Sequence, residues 1–137
     1  MAITLINVLN EPISYALVSH DELKKVFEKF KKILKKFDES GIITLEYPND
    51  DKSKILLSFI DRFYEIRFSS GYVENVFLGT ISAYRKLENT HLEIGSVSFN
   101  SLKGRITDPL TKAEGSLHEP HFCRTLVYAW LLKDIGW

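Results

Sequence analysis

Two histidines near the carboxyl end of the sequence have the types and spacing that could bind a metal ion. They lie in the segment His118-Glu119-Pro120-His121, and Cys123 follows two residues later. Histidines three positions apart share one face of a helix, where both could bind zinc. However, the segment is not an H-E-x-x-H motif, and the sequence has no second Cys or His pair at zinc spacing. We therefore expect helix-capping and surface histidines here, with no metal and no cofactor.

Two further groups could perform acid–base or nucleophilic chemistry, and each has a simpler explanation. Cys123 lies inside an apolar pattern, which favours a small buried hydrophobic residue over a nucleophile. His91 and Glu93 on one face of a strand could form an acid–base pair, but a solvated face also carries such residues. The sequence contains no glycine-rich nucleotide motif, P-loop, G-x-S-x-G or paired C-x-x-C. These absences disfavour the common enzyme classes, although acid–base sites can also assemble from distant residues.

A lysine-rich segment could bind nucleic acid. Residues 21–39 contain seven lysines and five acidic residues, so the net charge of this segment is +2. Non-specific binding to nucleic acid normally needs a stronger positive field. We therefore expect a solvated helix face and keep weak nucleic-acid binding as a third hypothesis. The lysines are Lys24, Lys25, Lys29, Lys31, Lys32, Lys35 and Lys36.

The element that carries these lysines is predicted to be an amphipathic helix over about 20–38. Seven apolar residues at steps of three and four form one stripe, here called the core stripe. Ser19 and Glu22 match a capping box, and Gly41 is typical of the residue just past a helix end. So much apolar surface must pack on another element. The core stripe is Leu23, Val26, Phe27, Phe30, Ile33, Leu34 and Phe37.

After Gly41 the apolar period changes from 3.6 to 2, which predicts an antiparallel sheet of about five to seven strands. The alternating pattern begins at Ile43, and the apolar phase slips between Ile94 and Val97. This slip predicts a β-bulge near residues 95–96. Further strands are expected over 54–60, 64–68, 72–87 and 91–99. Turns at 61–62, 69–71 and 88–90 join them, and Gly79 predicts a bulge or bend within the strand 72–87.

The two ends of the chain are predicted from weaker local patterns. Residues 3–9 are rich in β-branched types and predict a strand, which a turn at 10–12 ends. Residues 13–18 then form a second strand or lead into the helix. Towards the other end we expect a short strand at 103–106, a surface loop over 107–117 and a helix over about 119–135. That last helix is apolar on most sides, which is typical of deep packing or an interface.

The composition fits one α+β domain over residues 1–137. Apolar residues make up 45% of the chain, and eighteen basic residues balance eighteen acidic ones. A balanced charge provides no field that would attract nucleic acid or an anionic membrane. The longest apolar run, 126–132, is too short to cross a bilayer, and residues 1–18 lack the pattern of a signal peptide. A single cysteine favours a reducing compartment, so we expect a cytoplasmic protein with no membrane partner.

The function that these observations favour is binding of another protein without catalysis. An inhibitor, an immunity protein against a toxin or an adaptor would each fit a small, neutral domain. Tyrosine and arginine are frequent interface anchors, although the same residues would also suit the wet face of a sheet. The residues expected to face solvent and contact the partner are Glu65, Arg67, Tyr72, Glu74, Tyr84, Lys86 and Glu93.

Two alternatives to this binding function remain open. A small enzyme or ligand-binding domain would have a pocket between sheet and helices, with polar groups from His118, Glu119, His121 and Tyr84. Separately, the second side of the last helix either packs under another segment, such as residues 1–18, or meets another chain in a homodimer. The residues on this side are Tyr128, Ala129, Leu132 and Trp137.

Overall fold

The computed structural model describes residues 2–39, 41–101, 104–107 and 114–137. Five antiparallel strands form one sheet in the order β1-β2-β3-β4-β5, and two short strands pair separately. With a helix near each end of the chain, the predicted α+β class is confirmed. The elements are α1 Ala2–Asp38, β1 Thr44–Glu46, β2 Lys54–Phe59, β3 Arg62–Val73, β4 Val76–Lys86, β5 His91–Phe99, β6 Arg105–Thr107, β7 Glu114–Ser116 and α2 Pro120–Asp134.

The core stripe of α1 packs on one face of this sheet, as its periodicity predicts. Phe27 and Phe30 are both 0% exposed. The ring of Phe27 stacks on that of Phe68 in β3, with the centroids 5.2 Å apart. Inward-facing side chains of the central strands complete this core, and aromatic rings supply much of its buried apolar area.

The second helix packs beside α1 on the same face of the sheet. Its apolar residues Cys123, Leu126, Val127 and Leu131 are buried, together with Trp130. Pro120 occupies the first turn of α2, as predicted, where its missing N–H removes no helical hydrogen bond. The helix is therefore a core element.

The carboxyl end of α2 is fixed to the sheet through one buried carboxylate. The hydroxyl of Tyr64 donates to Asp134 Oδ2 at 2.7 Å, and Arg62 Nη1 donates to the same oxygen at 3.1 Å. Arg85 Nη1 lies 3.8 Å from Asp134 Oδ1. Burial and the bond to Asp134 raise the pKa of Tyr64 to about 12, so this phenol stays protonated and donates. Strands β3 and β4 thereby hold the last turn of the helix.

The prediction for the first eighteen residues is wrong, because α1 begins at Ala2 and continues through Pro12. There is no strand at 3–9, no turn at 10–12 and no second strand at 13–18. The β-branched residues that suggested a strand have only a weak, context-dependent preference. A proline in a helix interior removes one hydrogen bond, a local cost that the rest of this long helix offsets. Ser19 is consequently an interior helical residue and not a cap.

Two of the predicted hairpin turns lie at different residues. The first is Ile60-Asp61 instead of 61–62, with φ values of 47° and 56°. The predicted turn at 69–71 is wrong, because β3 continues to Val73 and turns at Glu74-Asn75, with φ values of 50° and 67°. Two-residue turns with positive φ match the twist of the strands that they join. The predicted strand over 72–87 is therefore divided by this turn.

The two predicted strand irregularities have different outcomes. The bulge is confirmed, because Ala83 pairs with Gly95 and Tyr84 pairs with Glu93, which leaves Ile94 as the extra residue. Gly79, in contrast, pairs in regular register. A Cβ at residue 79 would lie 2.5 Å from the ring of Phe99, so the glycine permits close packing and causes no bend.

The segment before α2 has more regular secondary structure than its sequence pattern predicts. The strand expected at 103–106 is β6, and it pairs with β7 inside the predicted loop 107–117. Leu117 is buried, and its N–H donates to the carbonyl of Gly104 at 3.0 Å. Residues 103 and 108–113 of these predictions lie outside the described residues.

The side of α2 that could have formed a homodimer is mostly covered within the molecule. Ala129 and Leu132 are half-buried, whereas Trp137 beyond the helix is 89% exposed. A dimer through α2 therefore remains a prediction with little exposed surface to support it.

Replacement of Phe30 by alanine should lower the free energy of unfolding by about 3–5 kcal/mol, because it leaves a cavity under α1. Denaturant melts would measure this loss. Lys32→Ala, at an exposed position of the same helix, is the control and should change stability by less than about 0.5 kcal/mol. A loss under about 1 kcal/mol for Phe30→Ala would contradict the packing described here.

Substitution of Gly95 by alanine tests the contact between β5 and α2. The new Cβ would lie 2.2 Å from the indole ring of Trp130, so the helix must shift, and we expect a loss of about 1–3 kcal/mol. Gly71→Ala is the matched control, since no atom lies within 4 Å of its Cβ. Equal melting temperatures for the two variants would show that Trp130 does not pack against Gly95.

Candidate functional site

Five of the seven residues predicted to contact a partner lie on the outer face of the sheet, which the helices do not cover. Glu65 pairs with Tyr84, and Tyr84 pairs with Glu93, so these three form one row across the strands. Arg67 and Lys86 lie two residues along their strands from this row. The sequence alternation therefore places this part of the set on one surface.

Glu65 is the centre of that outer face, and its charge is neutralised by its neighbours. Its side chain is 7% exposed and bonds to the Nε of Arg67. Lys54 Nζ lies 3.5 Å from this carboxylate and His91 Nε2 lies 4.0 Å away. Burial acts to raise the pKa of Glu65, but the Arg67 bond and the nearby positive charges hold it below the usual value. The carboxylate of Glu65 is thus ionised, and it is already paired with basic side chains of its own molecule.

The remaining polar groups of the outer face also pair with one another. The guanidinium of Arg67 lies over the ring of Tyr84, 4.4 Å from its centroid. The hydroxyls of Ser82 and Ser96 are 3.0 Å apart. A polar face with its hydrogen bonds already formed is typical of the solvated side of an antiparallel sheet.

The other two residues of the predicted set lie at the far end of the long β3–β4 hairpin. Tyr72 is on the face covered by α1, and its hydroxyl donates to the carbonyl of Pro12 at 3.0 Å. Glu74 is in the two-residue turn. The predicted set is therefore divided between two surfaces.

The residues of the predicted histidine pocket do not all lie on one surface. His118 is half-buried, and burial together with the charge of Lys29 lowers its pKa. Glu119 precedes α2 and makes no side-chain cap, while His121 is exposed, with its Nδ1 3.3 Å from Arg124 Nη2. Within the described ranges, no group of three His, Cys, Asp or Glu side chains is arranged to hold a metal ion. Tyr84, the fourth residue of this predicted pocket, is on the opposite face of the sheet.

Cys123 is buried in the core, as its apolar surroundings predict. Its Sγ donates to the carbonyl of Leu117 at 3.2 Å. Burial raises the pKa of this thiol to about 12, which keeps it protonated at neutral pH. A protonated, buried thiol is a poor nucleophile.

The lysines of α1 lie mostly in solvent. Lys31 is an exception, because its Nζ bonds to Glu28 at 2.8 Å and donates to the carbonyl of Lys52 at 2.9 Å. The other six are exposed, and Lys25, Lys29, Lys32 and Lys36 follow steps of four and three, so these four lie in one row along the helix. Weak nucleic-acid binding through this helix stays a prediction.

A cleft between α1 and the hairpin is the largest concave surface that we describe, at about 790 Å³. It exists because β3 and β4 extend beyond their neighbours: β2 begins opposite Arg67, and β5 ends opposite Gly79. The first half of α1 follows this extension, and its exposed side chains include Tyr15 at 60%. The cleft is lined by Asn10, Glu11, Pro12, Ser14, Tyr15, Tyr72, Asn75, Val76 and Phe77.

Two hydrogen bonds hold the walls of the cleft together. Besides the bond from Tyr72 to Pro12, His20 Nδ1 lies 2.5 Å from the hydroxyl of Ser70. The ring of Tyr72 also meets that of Phe77 edge-on, with centroids 5.0 Å apart. The apolar side chains that line the cleft therefore come from two elements, α1 and the β3–β4 hairpin, which are hydrogen-bonded to each other.

Sequence reasoning missed this cleft because the first half of α1 was assigned to strands. A signal for the helix was present: Leu9, Ile13 and Leu17 recur every four residues, which is a helical and not a strand spacing. The proline and the β-branched residues concealed this pattern.

Comparison with known proteins gives no match, whether with protein-family models, with characterised proteins or with solved structures. Of the helices in the described part of the chain, none is both long enough and apolar enough to cross a membrane.

Replacement of Glu65 by glutamine should lower stability at neutral pH by about 1.5–3 kcal/mol, because a buried, charge-assisted hydrogen bond is weakened. The folded-state pKa of Glu65 is lowered, so its contribution is present above the unfolded pKa and disappears as pH falls through the folded value. The difference between wild type and variant should therefore shrink in acid. Denaturant melts across the acid range would measure it.

The control for this experiment is Glu93→Gln, an exposed carboxylate on the same face. It should change stability by no more than about 0.5 kcal/mol at any pH. A Glu65→Gln effect that is constant with pH would contradict the ionised pair.

Proposed function

We propose that this protein binds another protein in the cleft between α1 and the β3–β4 hairpin. The observation that carries the proposal is the exposure of several large apolar side chains on the two elements that form one concave surface. These are Tyr15 on the helix and Tyr72 and Val76 on the hairpin. Exposed apolar surface of this kind commonly marks a binding site, and tyrosine is frequent among interface anchors.

The charge distribution favours the cleft over the outer face of the sheet. Glu11 is the only Asp, Glu, Lys or Arg residue between positions 2 and 19 of the sequence. Interface cores are depleted of charged residues, because desolvating a charge is costly. The outer face, in contrast, is built around the ion pairs of Glu65. The proposal therefore retains Tyr72, which lines the cleft, from the predicted contact set and leaves the other six residues outside the site.

An inhibitor, an immunity protein or an adaptor would each use such a surface. A cytoplasmic location belongs to the same proposal. Its support is the single cysteine, because a chain that can form no internal disulfide is typical of reducing compartments.

The test is quantitative affinity capture from the native cell with wild type and two variants, Tyr15→Ala and Val76→Glu. Proteins that bind in the cleft should be depleted about tenfold or more, because interface anchors commonly contribute over 1 kcal/mol. Both side chains are exposed in the free protein, so the melting temperature should change little.

Leu92→Glu is the matched control, since it changes an exposed apolar residue on β5, away from the cleft. It should capture the same proteins as the wild type. Proteins that Tyr15→Ala and Val76→Glu retain but Arg67→Ala loses would place the binding surface on the outer face of the sheet instead.

A further inference from the structure

Glu11 and Tyr15 form part of the helical wall of the cleft between α1 and the β3–β4 hairpin. Both residues line the cleft, and they are four positions apart in the helix. Helical side chains at this spacing are neighbours, with Cβ atoms about 5–6 Å apart. Both side chains are also exposed. The cleft therefore presents a carboxylate and a tyrosine ring side by side.

This carboxylate and this ring are not used by the protein's own contacts. In the described part of the chain, Glu11 takes part in no ion pair. No aromatic ring or cation of the described residues packs on Tyr15. The hairpin wall adds the rings of Tyr72 and Phe77, and the bond from Tyr72 to the carbonyl of Pro12 fixes that wall next to Glu11.

The same two side-chain types occur together on the outer face of the sheet, where a third residue completes them. Glu65 and Tyr84 are directly opposite each other on β3 and β4, which places their Cβ atoms about 4.5–5.5 Å apart. Arg67 donates to the carboxylate of Glu65, and its guanidinium lies 4.4 Å from the ring centroid of Tyr84. A guanidinium can do both at once, because it donates from its edge and stacks through its face. Glu11 and Tyr15 have nearly the same separation.

The charges near the cleft also favour a cationic group. Residues 2–19 and 68–84, which contain both walls, carry the carboxylates of Glu11 and Glu74 and no lysine or arginine. The first lysine along α1 is Lys24, thirteen residues after Glu11 and so about 20 Å away. That distance is more than twice the screening length of about 8 Å at physiological salt. These two segments therefore give the cleft a negative potential, although the whole chain is neutral.

We infer that the cleft recognises an arginine side chain of the partner protein, which pairs with Glu11 and stacks on Tyr15. This inference rests on the proposed function and specifies the chemistry of the group that enters the cleft. Arginine fits better than lysine, because its guanidinium is planar and more weakly hydrated than an ammonium group. The volume of about 790 Å³ is within the range of sites that hold a drug-sized molecule. The cleft thus accommodates the arginine together with neighbouring residues of the partner.

Titration of the full chain with N-acetylarginine amide, followed by NMR, tests this inference. The probe should shift the amide signals of Glu11, Tyr15 and Tyr72 saturably, with a Kd on the order of 1 mM for so small a fragment. N-acetylcitrulline amide has nearly the same shape and no charge. It should bind about tenfold more weakly, because hydrogen bonds between ionised groups are the stronger ones. Equal affinity for the two probes, or no saturable shift in the cleft, would overturn the inference.

Three variants assign the binding of the arginine probe to individual side chains. Glu11→Gln should weaken it about tenfold or more, because the variant removes the charge that the guanidinium pairs with. Tyr15→Leu should also weaken it, whereas Tyr15→Phe keeps the ring and should bind as the wild type does.

Glu22→Gln is the matched control, since it removes a carboxylate from another exposed position of α1. It should change the affinity by less than about twofold, because the charge is screened at that distance. A Glu11→Gln variant that binds the probe like the wild type would show that the carboxylate does not contact it, contrary to the inference.

Repeating the affinity capture with Glu11→Gln separates this inference from the proposed function. If Tyr15→Ala and Val76→Glu deplete the captured proteins but Glu11→Gln retains them, the cleft is the binding surface and the arginine inference is wrong. If the arginine probe binds in the cleft but none of the three variants depletes a captured protein, the proposed function is wrong and the arginine site is confirmed.

Discussion

The packing of α1 across the inner face of the sheet is the contact on which the other features depend. Phe27 stacks on Phe68, and Phe30 is fully buried beneath the helix. Because a helix is a rigid cylinder, fixing these two rings also fixes the side that every other residue of α1 presents. The position of Tyr15 in the cleft and the exposure of Leu9, Ile13 and Leu17 both follow from this contact.

The unequal lengths of the strands create the surfaces from which function is inferred. Strands β3 and β4 extend to the turn at Glu74-Asn75, whereas β2 and β5 end earlier. The extended hairpin therefore has an open edge, and α1 covers only its inner face. Natural sheets usually protect such an edge with charge, proline, a bulge or a covering helix or loop. The segment 69–73 contains neither a charged residue nor proline.

The polar side chains of the protein serve mainly to hold elements in place. Asp134 binds the end of α2 to Arg62 and Tyr64, and Glu65 pairs with Arg67 on the outer face. A buried carboxylate of this kind must be paired, because an unpaired charge in a low-dielectric environment is strongly destabilising. Both groups are thus explained by the fold, and neither needs a catalytic role.

The sequence by itself determined the elements that local periodicity encodes: the core stripe of α1, the helix that begins at Pro120, and the bulge at Ile94, where the apolar phase slips by one residue. Those signals are local, because each depends only on which side chains must face one core. Only the tertiary structure decided whether α1 continues through Pro12. The free-energy cost of the hydrogen bond that proline removes must be smaller than the stabilisation that the rest of the packed helix provides. The tertiary structure alone also decided that β3 continues through the turn-like residues 69–71, because strand length depends on pairing with β4. The cleft and the open edge of the β3–β4 hairpin depend on the relative lengths of elements far apart in the chain, and no local pattern records those lengths.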